Sequence, residues 1–241
     1  MSAGLRPKAV VVVATVRALR HHGGAKKEEL NQPSLVRVEK GLANLGKHLE
    51  NMKLFGMKAV VAINHFPGDT EEEINAIKHF CHKYETEAIS CTGFTDGGKG
   101  MTNLAQAVDE LIQKDESDFH PLYELDSPIE EKIHRIATKV YGADGVEYAV
   151  KAKSQLKHLK ELGFDFMPVC MAKTPKSLSD DERKTGRPEN FIVTVREFEF
   201  AAGAGFVIPI LGEMMRMPGL PAIPAAEGID IDEKGIITGL S

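Results

Sequence analysis

Two phenylalanines stand where ring chemistry is useful. Phe66 follows the apolar run Val60-Val61-Ala62-Ile63-Asn64-His65, and Phe94 follows Ala88-Ile89-Ser90-Cys91-Thr92-Gly93. Both runs read as buried strands, so each ring lies just past a strand's C-terminal end, on a loop where the core does not need it. In an open parallel sheet that edge is where ligands are held. Taken singly, each ring is more often tucked against its own helix. Two rings from adjacent strand ends can close on the faces of a flat heterocycle. Pro67-Gly68-Asp69-Thr70 then reads as a sharp loop, with Asp69 or Thr70 capping a helix that opens on Glu71-Glu72-Glu73.

A second chemistry is anion contact. Gly97-Gly98-Lys99-Gly100 offers flexible backbone N–H groups near a helix N-terminus. Read as lacking the leading glycine of a Walker A loop, and with Gly100 where that loop has Ser or Thr, the stretch is not taken as one; the alternative is a glycine-rich connection whose backbone needs positive φ. Lys173-Thr174, after the strand-like Met167–Met171, places a cation and a hydroxyl where a carboxylate or phosphate could be neutralised, or simply begins a polar loop. Other chemistries find no pattern. The nine histidines include an adjacent pair, His21-His22, and an i, i+3 pair, His79 and His82, but no HExxH, so no metal ligands are expected. There is no G-x-S-x-G elbow, and Cys91 has no defensible His/Asn set, so no catalytic residue is assigned. Cys81, Cys91 and Cys170 are an odd number without a CxxC pair and read as reduced thiols packing as small apolar groups.

The elements that must position these groups follow from periodicity. Residues 9–16 are a near-continuous β-branched run, the pattern of a strand covered on both faces. Helical spacing of Leu35, Val38, Leu42, Leu45, Leu49 and Met52 predicts a helix over 34–55, stopped by Gly56. A strand Ala59–Ile63, a helix Glu71–Tyr84, a strand Ala88–Cys91 and a helix from Met101 to about Lys114 come next. Strands alternating with helices imply βαβ units and a parallel sheet. Asp115–Pro121 reads as a boundary, dividing 1–120 from 121–241. Beyond it the pattern predicts helices Ile129–Val140 and Glu147–Leu162 around a Tyr141–Asp144 turn. Strands Met167–Met171, Phe191–Arg196 and Val207–Leu211 follow, with a small-residue segment Ala201–Phe206 before the last. The proline-rich stretch 217–224 is expected to pack as irregular chain.

A formal net charge of -5 argues against nucleic acid or an anionic membrane surface as partner. No apolar run approaches the roughly 20 residues of a membrane helix. No apolar signal core precedes the first strand, which makes the cytoplasm the expected compartment.

Read in order, these segments resemble formate–tetrahydrofolate ligase. The likeness is carried by Val11–Leu19 with His22-Gly23-Gly24, by Asn44-Leu45 with His48, and by Asn64, Phe66, Asp69 and Thr70. The loop Gly97–Gly100, the turn Tyr141–Asp144 and Cys170–Thr174 continue it, followed by Gly203-Ala204-Gly205-Phe206, Met217–Pro221, Ile229–Asp232 and Gly239-Leu240. The resemblance implies an α/β fold: part of a parallel P-loop-type sheet with flanking helices, then a C-terminal α+β region. It implies ATP-dependent formylation of tetrahydrofolate through formyl phosphate, with Mg2+ beside ATP and a monovalent cation as activator. An aromatic pair then clamps the pterin, matched by Phe66 and by Phe94 in a place where tryptophan is common; Pro67 would line the same slot. Gly97, Gly98 and Lys99 are the expected anion contacts. The family's phosphate loop lies upstream of the region matched, so the expectation is a chain holding folate-site and C-terminal elements, inactive alone. It would assemble as a homo-oligomer or with a complementing N-terminal half. The alternative is a non-catalytic assembly module that pairs with intact ligase subunits.

Overall fold

A computed structural model describes residues 4–173, 176–212, 223–233, 235 and 237–239. The first half is a three-stranded parallel sheet, β1 (Val10–Ala14), β2 (Ala59–Asn64) and β3 (Glu87–Cys91), in the order β1-β2-β3. Register runs from Val10 opposite Ala59 and Val60 opposite Glu87, which brings the ends of β2 and β3 level at Asn64 and Cys91. Helices α1 (Val16–His22), α2 (Leu35–Leu54) and α3 (Glu71–Lys83) cover one face. They bury Val61 and Ile63 of β2 with Leu42, Leu45, Leu49, Ile74 and Ile77. A short helical turn α4 (Gly93–Asp96) precedes α5 (Thr102–Lys114), which covers Val60 and Ala62 on the opposite face through Leu104.

Two expectations change here. Thr15 ends the strand, because its hydroxyl accepts from the Ala18 N–H at 3.0 Å and caps α1, so Val16 is the first helical residue. Nor is β1 covered on both faces. Val11 and Val13 are 40% and 66% exposed, since α5 reaches only β2 and β3.

The second half has a core of its own around Ile129, Ile133, Val193, Val195, Val207 and Leu211. Helix α6 (Ile129–Arg135) continues as a π-helical stretch, Ile136–Tyr141, that ends on Gly142 at φ +81. Next come β4 (Gly145–Tyr148) and α7 (Val150–Glu161). The expected helix start at Glu147 therefore gives way to a strand, which pairs in parallel with β5 (Ile192–Val195). Strands β6 (Glu197–Ala201) and β7 (Phe206–Ile210) form a hairpin whose turn is Ala202–Gly205. The expected strand Met167–Met171 appears only as bridges from Val169 and Ala172 to β7. Two-residue strands β8 (Asp230–Ile231) and β9 (Ile237–Thr238) pair near the end. The motif Met217–Pro221 lies outside the described residues, as do Thr174 and Leu240.

Candidate functional site

The loop bearing Phe66 is built by its own sequence. Pro67 supplies the fixed φ of a turn's second position, and Gly68 at φ +97 supplies the positive φ of the third, giving a type II geometry. The Asp69 N–H closes it on the Phe66 carbonyl at 3.1 Å, and Phe66 N–H donates back to Asp69 Oδ2 at 2.9 Å. Thr70, not Asp69, caps α3: its hydroxyl accepts from Glu73 N–H, and Glu73 Oε2 accepts from Thr70 N–H at 3.0 Å.

Glu73 does more than cap. It is buried, and Arg20 of α1 donates to it through Nε and Nη2 at 2.8 and 2.6 Å. Ser34 N–H donates to the same carboxylate at 2.8 Å, and Arg20 Nη2 also lies 3.7 Å from Asp69 Oδ1. Burial alone would raise the Glu73 carboxyl, but the Arg20 guanidinium and the Ser34 and Thr70 N–H groups outweigh it and hold it at about 2. The Phe66 turn is thereby anchored to α1 and α3 at once.

Phe94 sits on α4, directly past β3. The two rings meet: their centroids are 5.2 Å apart, with planes inclined by 49°. Parallel neighbours with level ends make this contact. Phe66 is half-buried, whereas Phe94 is 67% exposed. Sandwiching a flat ring needs the two faces about 7 Å apart, twice the roughly 3.5 Å carbon contact distance. As the rings stand, at 5.2 Å and inclined by 49°, they touch each other and leave no such gap. A cleft of about 480 Å³ opens beside Phe66 and Pro67, lined also by Thr15, Arg17, Arg20, Asn31 and Asp69.

Gly97, Gly98 and Lys99 are exposed and follow Phe94 as a 3-10 turn, Gly97–Met101. Gly93 stands at the leading position of G-x-x-x-x-G-K-[ST], so Gly100 is the stretch's one departure from that pattern. The departure is enforced. A Cβ at Gly100 would lie 2.5 Å from Thr92 Oγ1, leaving no room for Ser or Thr.

A family model for formate–tetrahydrofolate ligase matches residues 1–241. The chain belongs to that family. The Phe66–Phe94 pair stands just past the C-terminal ends of β2 and β3, the edge at which open parallel sheets hold ligands.

Some of the other family-like residues, His22 and Asn44, stand where the two halves meet. His22 Nδ1 accepts from Gly186 N–H at 3.1 Å, and Gly186 O accepts from buried Asn44 at 2.8 Å. Lys47 donates to Lys139 O at 2.6 Å, and Lys173 lies over the Tyr141 ring at 5.4 Å. Burial, aided by nearby His21, His48 and Lys173, pushes His22 down to about 4. Burial also lowers His48 and Lys173, and raises Tyr141 to about 12.

Among the cysteines, Cys81 and Cys91 are buried as expected and burial raises both thiols, Cys81 to about 12; Cys170 instead is exposed. Among the described residues no group of three His, Cys, Asp or Glu side chains could hold a metal ion, and no helix is long and apolar enough to cross a membrane. The sequence motifs gave Arg17 only as part of Val11–Leu19 and singled out neither Arg20 nor Asn31. Glu73 had a signal in Thr70-x-x-Glu73, the spacing of a capping box, but nothing in the sequence pairs it with Arg20.

Proposed function

We propose that this chain binds tetrahydrofolate through Phe66, Pro67 and Phe94 and so serves the ATP-dependent formylation of tetrahydrofolate to 10-formyltetrahydrofolate. The observation that carries the reading is the meeting of two aromatic rings, from neighbouring parallel strand ends, beside a cleft at the ligand-holding edge. Gly97, Gly98 and Lys99, exposed just beyond Phe94, are the proposed anion contacts for phosphate or formyl phosphate. Mg2+-bound ATP and a monovalent cation enter through the family's chemistry alone. The Gly93–Gly100 loop does not fit a Walker A cradle, because Gly100 cannot carry the hydroxyl that such a loop presents to magnesium. No phosphoryl-transfer step is therefore assigned to it. The site of action in this reading is the cytoplasm.

Calorimetric titration with tetrahydrofolate tests the clamp. Removing one stacked ring costs about 0.5–1.5 kcal/mol beyond its lost area, so Phe66→Ala should weaken binding by about tenfold or more. Equal affinity in wild type and Phe66→Ala would overturn the reading.

The bare Val11 and Val13 side chains on edge strand β1 favour a second reading. In it, the chain is an assembly module that docks on other ligase subunits. Co-elution with an intact ligase, lost in Val13→Lys, would favour it.

A further inference from the structure

The cleft beside Phe66 contains a cation that no described residue pairs with. Arg17 opens α1 one residue after Val16, is exposed, and lines the cleft together with Phe66 and Asn31. It enters no ion pair among the described residues. The other charged groups in that wall are engaged with one another. Arg20 is held in two-pronged fashion by Glu73, Asp69 Oδ2 accepts from the Phe66 N–H, and Asp69 Oδ1 faces Arg20 at 3.7 Å. Thr15 spends its hydroxyl on the Ala18 N–H. What remains to meet a ligand is the Arg17 guanidinium, with the exposed Asn31 amide nearby.

A tetrahydrofolate whose pterin rests on Phe66 must extend its aminobenzoyl-glutamate portion away from the rings. The open volume of about 480 Å³ beside Phe66 and Pro67 leads to Arg17. A guanidinium is the side chain best matched to a carboxylate, because its planar fork donates two parallel hydrogen bonds. We infer that Arg17 forms a subsite for the carboxylates of the folate's glutamyl tail, and that the cleft distinguishes folates by that tail. The inference rests on the pterin reading above and adds to it a specificity-determining residue.

The test is calorimetry on the whole 241-residue chain with four probes: tetrahydrofolate, its triglutamate form, tetrahydropteroate, which lacks glutamate, and p-aminobenzoyl-triglutamate, which lacks the pterin. Wild type, Arg17→Gln, Lys99→Gln and Phe66→Ala are compared. An ion pair near the surface is worth up to about 1 kcal/mol, so tetrahydrofolate should bind about fivefold tighter than tetrahydropteroate. Arg17→Gln should abolish that ratio without changing tetrahydropteroate affinity. Added salt should shrink the ratio in wild type.

The inference is overturned if the ratio persists in Arg17→Gln, or if it vanishes in Lys99→Gln instead, which would route the tail over the glycine loop. It is equally overturned if inorganic phosphate binds through Arg17 while tetrahydrofolate is bound, since the guanidinium would then serve a phosphoryl group. The two readings fail separately. Tetrahydropteroate binding that is indifferent to Phe66→Ala sinks the clamp, while Arg17-dependent binding of p-aminobenzoyl-triglutamate upholds the tail subsite by itself. No binding of any probe overturns both.

Discussion

His22 shows how a single side chain is committed by its surroundings. Gly186 N–H donates to Nδ1, so that nitrogen must stay unprotonated, and burial with His21, His48 and Lys173 close by adds to the cost of charging the ring. A histidine titrating at about 4 when folded and near 6.5 when unfolded lets the unfolded chain take up the proton first. Stability is therefore intact above pH 6.5 and falls as pH drops from there toward 4. His22→Asn, whose side-chain oxygen can accept from Gly186, should flatten that part of the profile in urea denaturation followed at several pH values; an unchanged slope between pH 6.5 and 4.5 would contradict it. Glu73 acts in a lower window. Its folded value near 2 lies below its ordinary 4.5, so its stabilisation is full above 4.5 and is lost toward 2. Neither commitment was legible in the sequence. His22 was a residue in a resemblance motif, and Glu73 one of three consecutive acids; their partners stand 164 and 53 positions away.

Among the elements, those with strong local signals were read from the sequence, whereas β4 was not. Val60–Ile63 announced β2, and Asp69-Thr70 ahead of the run Glu71-Glu72-Glu73 announced the start of α3, because each signal is contained in a few residues. Phe66 and Phe94 could be brought together in advance, since consecutive parallel strands end side by side. By contrast, β4 is four residues long and becomes a strand only by pairing with β5, whose residues lie 47 positions later. The Phe66 turn is the element on which the candidate site depends most. Gly68 is at φ +97, a conformation that costs an L-residue about 1–2 kcal/mol. An alanine there meets no atom within 4 Å, so strain alone decides the outcome. Gly68→Ala should lower the thermal midpoint by roughly 2–8 °C, from about 2–4 °C per kcal/mol for chains of this size. It should also weaken tetrahydrofolate binding by displacing the Phe66 ring. A midpoint equal to wild type would show that the turn is adaptable and not fixed by glycine.

For the whole molecule, the decisive feature is that the two halves join through polar contacts. The buried residues around Leu45 and Ile63 and those around Ile133 and Val193 form separate clusters. Helix α2 ties them together: Asn44 donates to Gly186 O at 2.8 Å, Lys47 to Lys139 O, Asn51 to Val140 O at 3.0 Å, and Glu50 pairs with Arg187. Asn44 and Asn51 are buried, so deleting either amide strands a carbonyl in the interface at a cost of about 1–3 kcal/mol. Each half has its own buried cluster, and these directional bonds run between the two. The Asn44→Ala/Asn51→Ala double variant should therefore leave both cores formed but uncouple them. Urea denaturation should then show two transitions, each with a smaller dependence on denaturant than the single wild-type transition, because each exposes less surface. A single transition of unchanged steepness in the double variant would mean that the halves are coupled by packing beyond these amides, and that residues 1–120 and 121–241 do not behave as separate units.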